Sequence, residues 1–325
     1  MSPICFLTGA SGFVGRHLAP RLARTHRLRV LVRDDRDLPW LADHDHERIV
    51  GRLGDDDAVR RGVAGADLVV HLAALVSFRP QDRGAMFATN ADATAQLAGA
   101  AREARVRRFL HCSTISAIAY RDRPEVVDET APFNFGRLRI GYCDSKFAAE
   151  RRVLDEVQRG LDAVVVNPPS MYGRGDRRKG DGSLITALLD GRIRMAPPGG
   201  INVADVACVC DGIVAAIERG RTGERYVLGG ENLTGRQLLE RVAAIAHARA
   251  PRRVLAPAIV RAAARVLAAK ERWFGCRGPL TSEILRLAPR FLWFSSAKAE
   301  RELGYRPRPV DTGIAAACDE LRERR

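Results

Sequence analysis

Tyr142 and Lys146 lie four residues apart in the run YCDSK, at the start of a stretch with helical periodicity. That spacing puts both side chains on one helical face. A free tyrosine has a pKa near ~10, too high for easy proton exchange at neutral pH. An ammonium one turn away stabilises the phenolate, and a shift of about three units takes roughly 4 kcal/mol of differential interaction. The pair is a candidate proton donor with its tuning cation. A second set of residues, Thr8–Gly15, reads TGASGFVG between an apolar run and a helical stretch. There Gly9 permits a tight turn, Gly12 leaves room for a pyrophosphate, and Gly15 allows close packing of helix on strand. The backbone of Ser11, Phe13 and Val14 then opens a helix whose free N–H groups suit an anion.

A dinucleotide so placed is sorted at the end of the second apolar run, LRVLVRDD. Arg33 stands there, and a guanidinium matches a ribose 2′-phosphate in a bidentate fork. The expectation is NADP(H). If Asp34 or Asp35 faces the ribose instead, the reading becomes NAD(H).

The elements that position these residues follow from periodicity. Short apolar runs at Ile4–Thr8, Leu28–Val32, Arg48–Val50, Asp67–Ala73, Phe109–Ser113 and Ala163–Asn167 alternate with helical stretches such as Met86–Ala104 and Tyr142–Arg159. Alternating strands and helices imply βαβ units, so the fold class is α/β, a doubly wound parallel sheet of Rossmann type. Beyond Asn167 the pattern breaks into loops, including GRGDRRKGDGS (173–183), and then helices at Val206–Glu218, Gly235–Ala248 and Pro257–Phe274. This predicts a dinucleotide-binding domain over 1–166, with 201–228 returning to it, and a smaller, irregular substrate lobe over most of 167–325.

The chain has 325 residues, 46% hydrophobic and 28% charged, which excludes disordered, collagen-like and coiled-coil classes. Its net charge is +14, yet only four of the 53 basic residues are lysine and the arginines are spread along the chain. That distribution reads as a solvated surface, not a nucleic-acid stripe. Seven cysteines without paired CxxC motifs suggest neither a disulfide scaffold nor a metal site, and fit a reduced cytoplasm. No signal segment is visible at the start, and no run reaches the ~18 apolar residues of a membrane span. Cys143 reads as an inert helical thiol, and His71 and His111 as satisfied core histidines. Pro257–Phe274 is both apolar and basic. It is expected to pack on the second lobe as a lid, and docking on a membrane surface is the alternative.

TGASGFVG, the Tyr142/Lys146 pair, HLAA (71–74), Asn90 and HCSTIS (111–116) together resemble the extended short-chain dehydrogenase/reductase family. Within it, GERYVLGGENLTGRQLLERVA (223–243) and SSAKAERELGYRPRP (295–309) are similar to the branch of dihydroflavonol-4-reductase-like proteins, 3β-hydroxysteroid dehydrogenases and hopanoid-associated sugar epimerase-like proteins. The resemblance implies a catalytic hydroxyl at Thr114, with Ser113 and Ser116 as fallbacks, beside Tyr142 and Lys146. It implies cofactor contacts at Thr8, Gly9, Ser11, Gly12, Phe13, Val14, Gly15, Arg33, Leu72, Ala73, Ala74, Asn90, Tyr142, Lys146, Pro168 and Ser170. It also implies a homodimer. Substrate candidates are Val76, Ser77 and Phe78, then Phe133 and Phe135, then Met171 and Tyr172; their apolar character suits a hydrophobic ketone or aldehyde. Asn167 departs from the family's arginine, and GGINVADVACVCD (199–211) lacks the Arg-Asp pair and histidine of nucleotide-sugar members. The expected activity is NADP(H)-dependent carbonyl reduction, with an epimerase or dehydratase of a sugar-like substrate as the alternative.

Overall fold

The computed structural model describes residues 2–34, 38–175, 184–275 and 278–323. Asp35, Lys179 and Cys276 lie outside the described residues, as does most of the 173–183 loop. Seven strands form the main sheet: β1 Ile4–Thr8, β2 Arg27–Val32, β3 His46–Val50, β4 Leu68–His71, β5 Arg108–Cys112, β6 Ala163–Asn167 and β7 Arg225–Val227. They are parallel throughout, in the order β7-β6-β5-β4-β1-β2-β3.

Period-two alternation makes two cores. Leu7, Val30, Val70, Leu110 and Val166 face one layer of helices, while Phe6, Leu31, Val69, Phe109 and Val165 face the other. Burial on both faces is what a parallel sheet requires. The helix Phe13–Leu22 covers the first layer with Phe13, Val14, Leu18 and Leu22, and the helix Val206–Arg219 packs beside it. On the other side lie Asp56–Val63, Ala93–Glu103 and Gly141–Val157.

The chain order reverses between β1 and β4, which flank each other in the sheet. Ligands of such sheets bind outside the carboxyl ends at this switch point. The glycine loop after β1, HLAA after β4 and Ser113-Thr114 after β5 therefore share one rim.

The sequence expectation of one helix over Met86–Ala104 is corrected. A short α-turn at Arg83–Met86 runs into a π-helical turn at Phe87–Asp92 before the α-helix Ala93–Glu103 begins. In this stretch Thr94 turns its hydroxyl back onto the Asn90 carbonyl at 2.6 Å. The expected return of 201–228 to the first domain divides. Gly200–Asp205 is the centre of a second sheet, whereas Val206–Arg219 and β7 pack with the first. That second sheet runs Glu231–Thr234, Gly200–Asp205, Phe291–Phe294, Val126–Val127, with Ser170–Tyr172 also paired to Gly200–Asp205. Val126–Val127, inside the expected first domain, is thus part of the second lobe's sheet.

Pro257–Phe274 is a helix over its whole expected length. It packs on the short helix Ser282–Leu287, but only Val260, Ala264 and Glu271 are buried. A lid seated on the lobe would bury more of its apolar residues.

Gly9 sits at φ +80°, and a Cβ there would stand 2.7 Å from the Ala73 nitrogen and 2.9 Å from the Leu72 carbonyl carbon. Neither backbone atom can yield easily. Gly9→Ala should therefore cost about 2 kcal/mol or more in urea denaturation. It should also abolish dinucleotide binding, measured by titration.

Candidate active site

The helix Gly141–Val157 carries Tyr142 and Lys146 across the rim of β5. Lys146 is 2% exposed, and its Nζ donates to the Cys112 carbonyl at 2.9 Å and meets His111 Nε2 at 3.4 Å. Burial lowers its pKa from the ordinary lysine value, opposed by Cys112 and by Glu150 one turn on. An ammonium only donates, so His111 Nε2 must accept and its proton resides on Nδ1. Burial holds His111 neutral as well, reinforced by Lys146.

Thr114 caps a short turn, its Oγ1 accepting from the Ser116 backbone N–H at 3.2 Å. The hydroxyl proton is left to donate elsewhere. Asn167 is fully buried and donates to the Thr114 carbonyl at 3.0 Å and to Glu150 Oε1 at 2.5 Å. Arg225 reaches Glu150 Oε2 at 3.3 Å. Where the sequence lacks the family's arginine, Asn167 and Arg225 together hold this end of β6 against the tyrosine helix. Ser113 is buried near Glu150.

One buried chain of hydrogen bonds joins the glycine loop to the tyrosine. Thr94 gives its proton to the Asn90 carbonyl, so it must accept from His71 Nε2 at 2.8 Å. His71 Nδ1 then accepts from Thr8 Oγ1 at 2.7 Å. Asn90 Nδ2 donates onward to Ser145 Oγ at 3.0 Å, and Ser145 donates to the Tyr142 carbonyl at 3.0 Å. Asn90 also pairs both ways with the Leu75 backbone, at 2.7 and 2.9 Å. Every link has one possible direction provided His71 is neutral, and burial lowers its pKa to about 3.

This geometry corrects several expected contacts. Thr8 and Asn90 are fully buried and their polar atoms are committed, so they position the rim and do not touch a cofactor through their side chains. Phe135 is fully buried in an apolar cluster with Tyr120 and Ile140, and Tyr172 is buried in the core of the second lobe; neither faces the cleft. The Ser77 hydroxyl is taken up by Asp82 at 2.6 Å. Phe78 stands 5.8 Å from the Tyr142 ring, Val76 is exposed, and Phe133 stacks on Phe147 at 4.0 Å. Leu72, Ala73, Ala74, Ser170 and Met171 are partly exposed, and Pro168 is buried.

The glycine loop fits a pyrophosphate. A Cβ on Gly12 would meet only the Gly9 carbonyl oxygen at 3.1 Å and would otherwise project into open space, while one on Gly15 would collide with the Gly9 oxygen at 2.2 Å. The helix that follows has no side-chain cap and no acidic residue in its first turn, so its N–H groups and dipole stay available. Beyond it a cleft of about 760 Å³ is lined by Ser11, Arg16, Arg33, Asp34, Trp40 and Arg174, among others. Arg33 lies in this cleft. Arg16 and Trp40 were not anticipated; the Arg16 guanidinium faces the Trp40 ring at 4.6 Å. The signal for Arg16 was its place directly after Gly15. Trp40 gave none.

Glu283, from the second lobe, was also unanticipated. It is buried, and its Oε1 accepts from the Gly141 N–H at 3.2 Å, capping a helix whose own N-cap residue, Ile140, offers no side-chain cap. Burial raises its pKa. Among the described residues, no cluster of His, Cys, Asp or Glu could hold a metal, and no helix is long and apolar enough to cross a membrane.

Residues 5–229 match the sequence profile of the NAD dependent epimerase/dehydratase family. The chain belongs to this family, the extended short-chain dehydrogenase/reductases, whose members bind NAD or NADP, and it is an enzyme of that class. It is 30% identical over 333 residues, 98% of each chain, to sterol demethylase protein B of Methylococcus capsulatus. It is 36% identical over 227 residues, 69% of this chain and 67% of the relative, to a 4-hydroxy-2-methyl-3-oxo-4-farnesyl-3,4-dihydroquinoline-1-oxide ketoreductase of Stigmatella aurantiaca. Among solved structures, the protein gox2253 superposes with a TM-score of 0.85 and 33% identity, over 100% of this chain and 99% of that one.

Two predictions follow from the burial of these groups. His71 has a folded pKa of about 3 against its ordinary 6.5, so the unfolded chain binds more protons between those values and stability falls as pH drops through that window. Each pH unit below 6.5 should cost up to about 1.4 kcal/mol for such a histidine. Urea titrations from pH 7 to 5 should show a shallower fall in His71→Gln than in the wild type. Lys146→Met removes a buried ammonium, so its urea midpoint should hold or rise even as activity is lost.

Proposed function

We propose that this enzyme reduces a ketone or aldehyde on a largely apolar small molecule, with NADPH as hydride donor. The observation that carries the reading is the rim of β5, where Thr114 and the buried Lys146 flank the helix turn that bears Tyr142. A reduced nicotinamide, when bound, supplies a hydride to the carbonyl carbon. Thr114 would donate its hydroxyl proton to the carbonyl oxygen and fix its orientation. Tyr142 would hold the proton that the developing alkoxide takes. Cys112 and His111 use two of the three Lys146 ammonium hydrogens, leaving one for the tyrosine oxygen or the cofactor ribose.

Arg16 and Arg33 on the walls of the outer cleft support the NADPH preference, because two guanidiniums there suit a 2′-phosphate. Phe78 beside Tyr142, the exposed Val76 and the Phe133–Phe147 stack support an apolar substrate. So does the farnesyl group in the name of the Stigmatella ketoreductase. A sugar-directed epimerase or dehydratase is the second reading, favoured by the description of the matched family. It would hold its oxidised cofactor through each cycle and show no net turnover of it.

Titration with NADPH and NADH, followed by a panel of apolar ketones, separates the two. NADPH should bind more tightly than NADH. Arg33→Ala and Arg16→Ala should each weaken NADPH by about tenfold and leave NADH unchanged. Tyr142→Phe should still bind NADPH and lose turnover by about a hundredfold or more. Copurification of bound NAD, with no net oxidation of NADPH by any ketone, would overturn the reductase reading.

A further inference from the structure

The hairpin of the helix Pro257–Phe274 and the short helix Ser282–Leu287 carries a face that nothing among the described residues covers. Ile259, Val266 and Trp273 recur every seven residues, so they form one stripe along the helix, and they are 61%, 71% and 80% exposed. Phe274 and Leu280 extend the stripe at 66% and 54%. An exposed apolar patch of this kind marks an interaction surface. Beside it, Arg261, Arg265 and Arg272, at spacings of four and seven, make a second, basic row, and all three are exposed. Lys270 lies within the stripe, where its long stem can follow the apolar surface and lift the ammonium clear.

The charges are sorted by sign. Residues 257–290 contain seven basic and two acidic side chains. Both acids, Glu271 and Glu283, are buried at 9% and 2% exposure and face inward, Glu271 onto Ser282 and Glu283 onto Gly141. Within the hairpin the outer face therefore presents cations and no carboxylate of its own; the exposed Asp122, from outside it, pairs with Arg290. Arg261, Arg265, Arg286 and Arg290 converge on a pocket of about 250 Å³ floored by Ala264 and Ala268. Arg286 is held by the Leu138 carbonyl and Arg290 by Asp122, while Arg290 Nε is buried without a partner. Among the described residues, Arg261 and Arg265 have no hydrogen-bond or ion-pair partner.

We propose that this face docks reversibly on an anionic membrane surface. The apolar stripe would enter the headgroup boundary, with the arginine row and pocket on lipid phosphates. A helix with an apolar stripe, a flanking basic row and Trp-Phe at one end lies in the plane of an interface. The protruding helix suits a flat surface and not a groove. A second copy is disfavoured, because a two-fold contact through this face would set arginine row against arginine row. Glu283 and Arg286 tie the hairpin to the approach of the tyrosine helix, so docking would bring the cleft rim to the bilayer where apolar compounds partition.

The test is sedimentation of the full chain with vesicles of phosphatidylcholine alone and of phosphatidylcholine mixed with phosphatidylglycerol. Binding is expected to the mixed vesicles only, and to weaken with added salt. The double variants R261E/R265E and W273A/F274A should each lower binding by about tenfold or more, at unchanged melting temperature. Trp273 emission, taken as the difference between wild type and Trp273→Phe, should shift to the blue on vesicle addition, a readout that does not depend on the double variants folding. Absence of binding to the anionic vesicles would overturn the proposal. So would binding that both double variants retain in full, or self-association in ultracentrifugation that Val266→Glu disperses, which would make the face a contact between copies.

Discussion

Keeping polar groups dry beneath a parallel sheet is the constraint on which this site depends. Lys146, His71, His111, Asn90, Glu150 and Asn167 are all buried at the carboxyl rim of the strands. Each is held there by hydrogen-bond partners, because an unsatisfied buried polar group costs about 1–3 kcal/mol, and of their polar atoms His111 Nδ1 and Asn167 Oδ1 go without. The strand register supplies those partners by placing Thr8 opposite His71 and His71 opposite His111. The result is a one-way sequence of hydrogen bonds from the glycine loop to the backbone of Tyr142. A buried network of this kind is rigid and holds the rim in one arrangement.

The arginines of this chain serve three unlike purposes. Many form exposed pairs, such as Arg60 with Asp56 and Arg236 with Glu240, which add little to stability. A few bind the structure internally, as Arg225 does on Glu150. Others line two clefts, the outer one with Arg16 and Arg33 and the hairpin pocket with Arg261 and Arg265. Composition averages these groups into a single number. Only their positions separate a solvated surface from a surface with an anion to meet.

The second lobe reaches back into the first at two points. Glu283 caps the tyrosine helix, and Val126–Val127 completes the second sheet from within the first half of the chain. The start of the tyrosine helix is thus capped by a carboxylate more than a hundred residues away in sequence.

Local pattern was enough to find six of the seven strands of the main sheet, the glycine loop and the Tyr142–Lys146 spacing, because each depends on neighbours a few residues apart; Arg225–Val227 and the strands of the second sheet escaped it. Ile4–Thr8, Ala163–Asn167 and Pro257–Phe274 have the bounds their periodicity predicts. Likeness to a known family added Thr114 as a candidate, which no spacing reveals. The rest was decided by tertiary structure. Thr8 and Asn90 carry the right residue types for cofactor contacts, yet the fold buries them and assigns their atoms to other partners. Phe135 is apolar and close in sequence to the tyrosine, yet it is turned into the core. Arg16, Trp40 and Glu283 enter the site from separate elements. Hydrogen bonds and burial are properties of space, and a sequence records only the order in which the residues are joined.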